Sequence, residues 1–178
     1  MTTYLGLGVL LGLSAGLAPG PLLTLVVSQT IQHDIRAGIK VALAPLITDL
    51  PIVLVTVFVL SKLSGFDNIL GGISIVGGCV VMMMGIDGIR TRPMEINIDR
   101  SRPRSLLKGV VVNVLSPHPY LFWLGVGAPA MARAYETHMM AAIVFVGGFY
   151  LFLIGSKVFL ALLVGKSKAI MKGRVYVY

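Results

Sequence analysis

Apolar residues in this chain are gathered into long blocks instead of recurring at one face of a helix or strand. Blocks over 4–31, 37–60, 69–89, 109–131 and 139–165 run with few charges, and polar connectors divide them. A bilayer crossing needs ~20 largely apolar residues. A soluble helix keeps a polar face, which most of these blocks lack. The pattern predicts an all-α integral membrane protein with five spans. It divides into a first three-helix repeat over 1–89, a connector over 90–108, and a second repeat over 109–178 that is one span short.

Composition agrees. Of 178 residues, 56% are hydrophobic and 12% charged, about half the charged fraction of an average soluble domain. The net charge of +8 invites a nucleic-acid partner, but the basic residues sit in the connectors, where membrane topology puts them. Arg36 and Lys40 follow span 1. Arg90, Arg92, Arg100, Arg102, Arg104 and Lys108 follow span 3, and Lys166, Lys168, Lys172 and Arg174 follow span 5. These twelve fall on one side, against Lys62 and Arg133 on the other. Cytoplasmic loops carry the positive excess, so the N-terminus is expected outside and the basic loops and tail inside. The first residues lack the basic start of a cleaved signal peptide, and the first block is expected to stay in the mature protein.

Two blocks are interrupted. Span 1 holds Gly16-Leu17-Ala18-Pro19-Gly20-Pro21, and span 4 holds Asn113-Val114-Leu115-Ser116-Pro117-His118-Pro119. Proline lacks an N–H and clashes with the preceding turn, so each Pro-x-Pro is expected to break its helix. Backbone groups freed inside lipid must be satisfied by protein, water or a ligand. Pro19 and Pro117 stand 98 residues apart, as do Pro21 and Pro119. Spans 1 and 4 are three crossings apart and run in opposite directions. This predicts a 3+3 inverted repeat whose broken helices meet around a solute, with half-helix N-termini suited to a carboxylate. Tolerated kinks in a packed bundle are the alternative. The repeat calls for a sixth span, and the ending Gly173-Arg174-Val175-Tyr176-Val177-Tyr178 reads like the start of one, so a truncation is expected.

Charges inside the blocks mark candidate chemistry. Asp49 lies in span 2 between Pro45 and Pro51, where an acid costs ~2.5–3.5 kcal/mol on insertion scales and is a functional candidate by default. It is read as a proton-coupling or cation-binding group, with a neutral hydrogen-bonded carboxyl as the alternative and Thr48 beside it to share the bonding. Lys157 in span 5 either pairs with Asp49 or snorkels to the interface. His118 is able to shuttle protons near neutral pH, and Asn113 and Ser116 add neutral hydrogen-bonding groups. Ser28 and Gln29 near the inner end of span 1 are lesser candidates, and Asp87 with Arg90 is read as interfacial. Gly71, Gly72, Gly77, Gly78, Gly85 and Gly88 suit close helix packing, including a homodimer interface. Cys79, the single cysteine, is expected to be a small core residue. Met82-Met83-Met84 reads as lipid or core filling, and no metal or cofactor is implied.

The residues also carry a family resemblance. The stretch from Gly12 to Pro21, followed by Gly38 and Asp49, resembles the first half of LysE-type (LysE/RhtB) amino-acid exporters. Lys108-Gly109, Asn113, Ser116-Pro117 and Phe122 are similar to the second-half signature, a glycine followed by an Asn-Pro motif. The resemblance covers about 6–123, and Gly-x-x-Pro-Gly-Pro in a first membrane helix is fairly specific. It implies a six-helix inverted-repeat exporter of amino acids or related small solutes in a prokaryotic cell membrane, driven by the proton-motive force. The chain departs from the family in placing Pro45 and Pro51 around Asp49 and in separating Asn113 from Pro117.

Site residues are accordingly expected at Pro19, Gly20, Pro21, Asp49, Asn113, Ser116, Pro117 and His118, with Asp49 and Lys157 as an ion pair. An intramembrane enzyme acting on lipid headgroups is the competing class, although the sequence holds no HExxH or recognisable nucleophile–base pair. A thiol electron carrier is opposed by the single cysteine. A non-transporting membrane subunit is the remaining class. With so few charges in the spans, a zwitterionic or neutral solute fits better than a strongly cationic one.

Overall fold

The computed structural model describes residues 1–62 and 104–175, together with positions 72, 75, 76, 79, 82, 83 and 86. The described chain is helical throughout and holds no strand. α1 spans Thr2–Leu17 and α2 Pro21–Gln32. α3, Ile35–Ala42, leads into α4, Ala44–Lys62. The second half begins with α5, Ser105–Leu115, and α6, Pro117–Phe122. A π turn, Trp123–Gly127, then leads into α7, Ala128–Thr137, and the chain continues as α8, Met139–Val175.

Both expected helix breaks are present. α1 ends at Ala18, and the chain restarts at Pro21 after extended Gly20, with a bend of 62° between the two helices. α5 ends at extended Ser116 and restarts at Pro117. Proline suits this first helical position, because its missing N–H would be unpaired there anyway. The two restarts are not at matching prolines. The second proline of the motif opens α2, and the first opens α6.

Ile35–Val55 and Met139–Ser167 are each long and apolar enough to cross a bilayer, and the bent pair α1–α2 makes a third span if taken as one. The expected fourth span differs in detail. Helix begins earlier, at Ser105, and continues to Thr137 in three pieces joined by Ser116 and the π turn. Pro117, Pro119 and Pro129 each remove an α-type hydrogen bond, so one straight helix cannot form there. The third span, over 69–89, lies outside the described residues apart from those seven positions, as do Asp87, Arg90 and the rest of 90–103. The seven are spaced as one face of a helix, and all are exposed. Cys79 is among them, so the expected core thiol instead faces outward with Ile75, Met82 and Met83.

α1 lies along α8 in the most extensive helix pairing among the described residues. Gly8, Gly12 and Gly16 form a stripe one turn apart, all buried. A Cβ on Gly8 or Gly12 would overlap the Phe145 or Phe149 carbonyl oxygen, and one on Gly16 would overlap Ser156 Oγ. Small residues at this spacing let two backbones touch. Three apolar clusters lie among the described residues, and two of them adjoin the helix breaks. Leu22, Val26, Val41, Ala42, Ala44 and Ala161 join α2, α3, α4 and α8. Trp123, Ala128, Phe149 and Leu153 join the π turn, α7 and α8. Large apolar side chains such as Leu10, Leu54 and Leu151 are left exposed, an outer surface suited to lipid and costly in water.

Candidate functional site

Members of both clusters line a cavity of about 180 Å³ beside the two helix breaks. A single water needs ~10–15 Å³, so the space is solute-sized. Gly20 and Pro21 approach it from the first break, and Ser116, His118 and Pro119 from the second. Asp49, Asn113 and Lys157 line it as well. Pro19 and Pro117 do not line it, and their effect is exerted through the backbone.

That effect can be traced. In an unbroken helix the Ala15 carbonyl would accept from the N–H four residues on, which is Pro19 and has none. Gly16 would accept from Gly20, which has left the helix. Lys157 Nζ takes over both carbonyls, donating to Ala15 O at 3.2 Å and Gly16 O at 3.0 Å. A cation at a helix C-terminus is also favourable to the helix dipole. At the second break Pro117 cannot donate to Asn113 O. Ser116 N–H reaches that oxygen instead, at 3.2 Å, and the Tyr120 hydroxyl donates to Val114 O at 2.9 Å. Ser116 caps the restart, its Oγ accepting from His118 N–H at 3.4 Å and lying 3.3 Å from His118 Nδ1.

Asp49 is only 4% exposed. Its Oδ1 accepts from Asn113 Nδ2 at 3.0 Å and from Thr48 Oγ1 at 3.1 Å. Asn113 Nδ2 also donates to Thr48 Oγ1 at 2.6 Å. These bonds tie α4 to α5 and hold the carboxyl through Oδ1, on a residue that lines the cavity. Asp49 and Lys157 feel each other's charge, but the direct partners of the ammonium are the two carbonyls. The site therefore holds one buried acid and one buried base, anchored separately.

Its aromatic wall was not anticipated. Phe122 stacks on Phe149 with ring centres 4.8 Å apart, and Trp123 meets Phe149 edge-on at 5.4 Å. Trp123 is fully buried. Its Nε1 approaches the Asp49 carboxyl without reaching hydrogen-bond geometry, and has no partner. The sequence signal was its being the one tryptophan of the chain, close after a proline break. Gln29, a lesser candidate, lies away from the cavity. It accepts from Ser105 Oγ at 2.7 Å in a buried bond joining α2 to α5.

Broken apolar helices enclosing a charged, solute-sized cavity define a helical membrane protein of the translocator class. Over residues 13–177 the sequence matches the model of the LysE type translocator family, and the chain belongs to that family. No curated protein and no solved structure matches it.

Proposed function

We propose that this protein is a secondary transporter that exports amino acids or related small solutes across a prokaryotic cell membrane, coupled to proton movement through Asp49. The observation that carries this reading is the meeting of two broken helices, a buried acid and a buried base at one cavity. Asp49 is held through Oδ1 and lines the cavity, so it is placed to exchange a proton or to hold a solute's amino group. Residues 18–20 and Ser116 are the segments able to shift between access states, because their backbone is already outside regular helix. The breaks in the first and fourth spans support a 3+3 inverted repeat. The division of basic residues supports an external N-terminus with the basic loops and tail in the cytoplasm.

The test is efflux from proteoliposomes containing the purified chain and loaded with a panel of amino acids, with and without an imposed proton gradient. At least one solute should leave faster with the gradient, and Asp49→Asn should lose that acceleration. Undiminished gradient-driven efflux in Asp49→Asn would remove Asp49 from the coupling. Turnover of membrane lipid without solute flux would favour the intramembrane enzyme instead.

A further inference from the structure

Two residues that line the cavity keep an N–H with no hydrogen-bond partner among the described residues. An ammonium has three N–H groups. Lys157 uses two of them on Ala15 O and Gly16 O, and no carboxylate among the described residues pairs with it directly. The side chain is 3% exposed, and a buried charge ordinarily has a counter-charge. The second donor is the Trp123 indole N–H, fully buried and near the Asp49 carboxyl but making no hydrogen bond, where nearly all buried polar groups are satisfied. Both residues line the same cavity as Asp49. The wall beside them is apolar and aromatic, built from Leu11, Phe122, Phe149 and Leu153.

We propose that Lys157 Nζ and Trp123 Nε1 read a carboxylate of the transported solute while Asp49 takes its ammonium, so that the cavity selects net-neutral zwitterions with an apolar side chain over dibasic ones. The assignment rests on the transporter reading above and adds to it which residues recognise which end of the solute. The charges support it. Buried Asp49 and Lys157 are matched by a solute with one charge of each sign, whereas a second positive group would meet Lys157, His118 or the apolar wall. The donors also differ in kind. Lysine supplies charge, and the indole N–H, rigid in its packed ring, supplies direction.

The experiment is competition against efflux of alanine and leucine by ethylamine and 3-methylbutylamine, their decarboxylated counterparts, and by lysine. In the wild-type protein the amines should compete more than about tenfold more weakly than the parent amino acids, the scale of a lost hydrogen bond to a charged group. Lysine should also compete weakly. Lys157→Gln and Trp123→Phe should each narrow the gap between amino acid and amine, and Lys157→Arg should preserve it. Trp123→Phe keeps the ring packing, so it decides the matter if Lys157→Gln does not fold, with unfolding in micelles as the check on both. A wild-type protein that moves amino acids but does not distinguish them from the amines overturns the carboxylate assignment, as do variants that keep the full preference. A wild-type protein that moves no solute overturns the transporter reading beneath it.

Discussion

Replacing Gly12 by alanine adds one methyl group at the α1–α8 seam, about a turn before the first break. The new Cβ would overlap the Phe149 carbonyl oxygen and lie 3.1 Å from Phe149 Cα. The obstacle is backbone, so no side-chain rotation relieves it, and the helices must part by on the order of 1 Å to restore ordinary contact distances. Over-packing of this kind costs about 1–3 kcal/mol. The displacement also reaches the site, because Lys157 on α8 holds Ala15 and Gly16 on α1 at 3.0–3.2 Å. An added ångström takes those bonds beyond useful length, although the flexible lysine stem follows part of the way. Adding a fraction of a charged hydrogen bond, itself worth about 1.5–3 kcal/mol, brings the expected loss to about 2–4 kcal/mol. Gly6 supplies the control, since it lies on the same helix and a Cβ there meets nothing within 4 Å. Gly6→Ala should stabilise by about 0.5–1 kcal/mol through backbone entropy alone. Equilibrium unfolding of both variants in mixed micelles measures the two values. If Gly12→Ala is neutral or stabilising like Gly6→Ala, the close-packed glycine seam is refuted.

Two other substitutions probe the breaks and their surroundings. Pro19→Ala restores an N–H that competes with Lys157 for Ala15 O. It should slow efflux while leaving unfolding stability equal or higher, and an unchanged efflux rate would show that the open break is not needed for movement. Ser105→Ala strands the Gln29 side-chain oxygen in a buried position. It should lower unfolding stability by about 1–2 kcal/mol, the range for hydrogen bonds between membrane helices, and a loss below 0.5 kcal/mol by that scale would show that water or another group takes its place.

Much of the architecture was legible because membrane insertion acts locally on the chain. Long apolar runs report helices, and Pro-x-Pro reports breaks, since a missing N–H has the same consequence in any packing. The residues flanking those breaks, with Asp49 and Lys157, were identifiable because polar groups are rare in such runs. What could not be read was how the freed groups would be satisfied. Lys157 was expected to face Asp49 or the interface, yet its direct bonds are to the carbonyls that Pro19 and the departing chain leave unpaired. Pro19 and Pro117, expected at the site, act on it through the backbone alone. The glycines suspected of close packing were those of 69–89, which apart from Gly72 lie outside the described residues, and the seam seen in the structure uses Gly8, Gly12 and Gly16. Glycine composition marks where backbones are able to approach, and only the docking of α1 on α8 shows which glycines are used.

The sequence alone determined that this chain belongs in a membrane, that two of its helices are interrupted, and which few polar side chains lie within apolar segments. Each of these follows from residues close together in the chain. Tertiary structure decided that Asp49, Asn113, Trp123 and Lys157, drawn from four separate elements, surround one cavity. It also decided that the acid and the base are anchored by different partners. Those relations depend on the distance between helices and on the turn at which each side chain emerges, and both are set by packing between distant segments, chiefly the glycine seam that brings Lys157 to the broken end of α1.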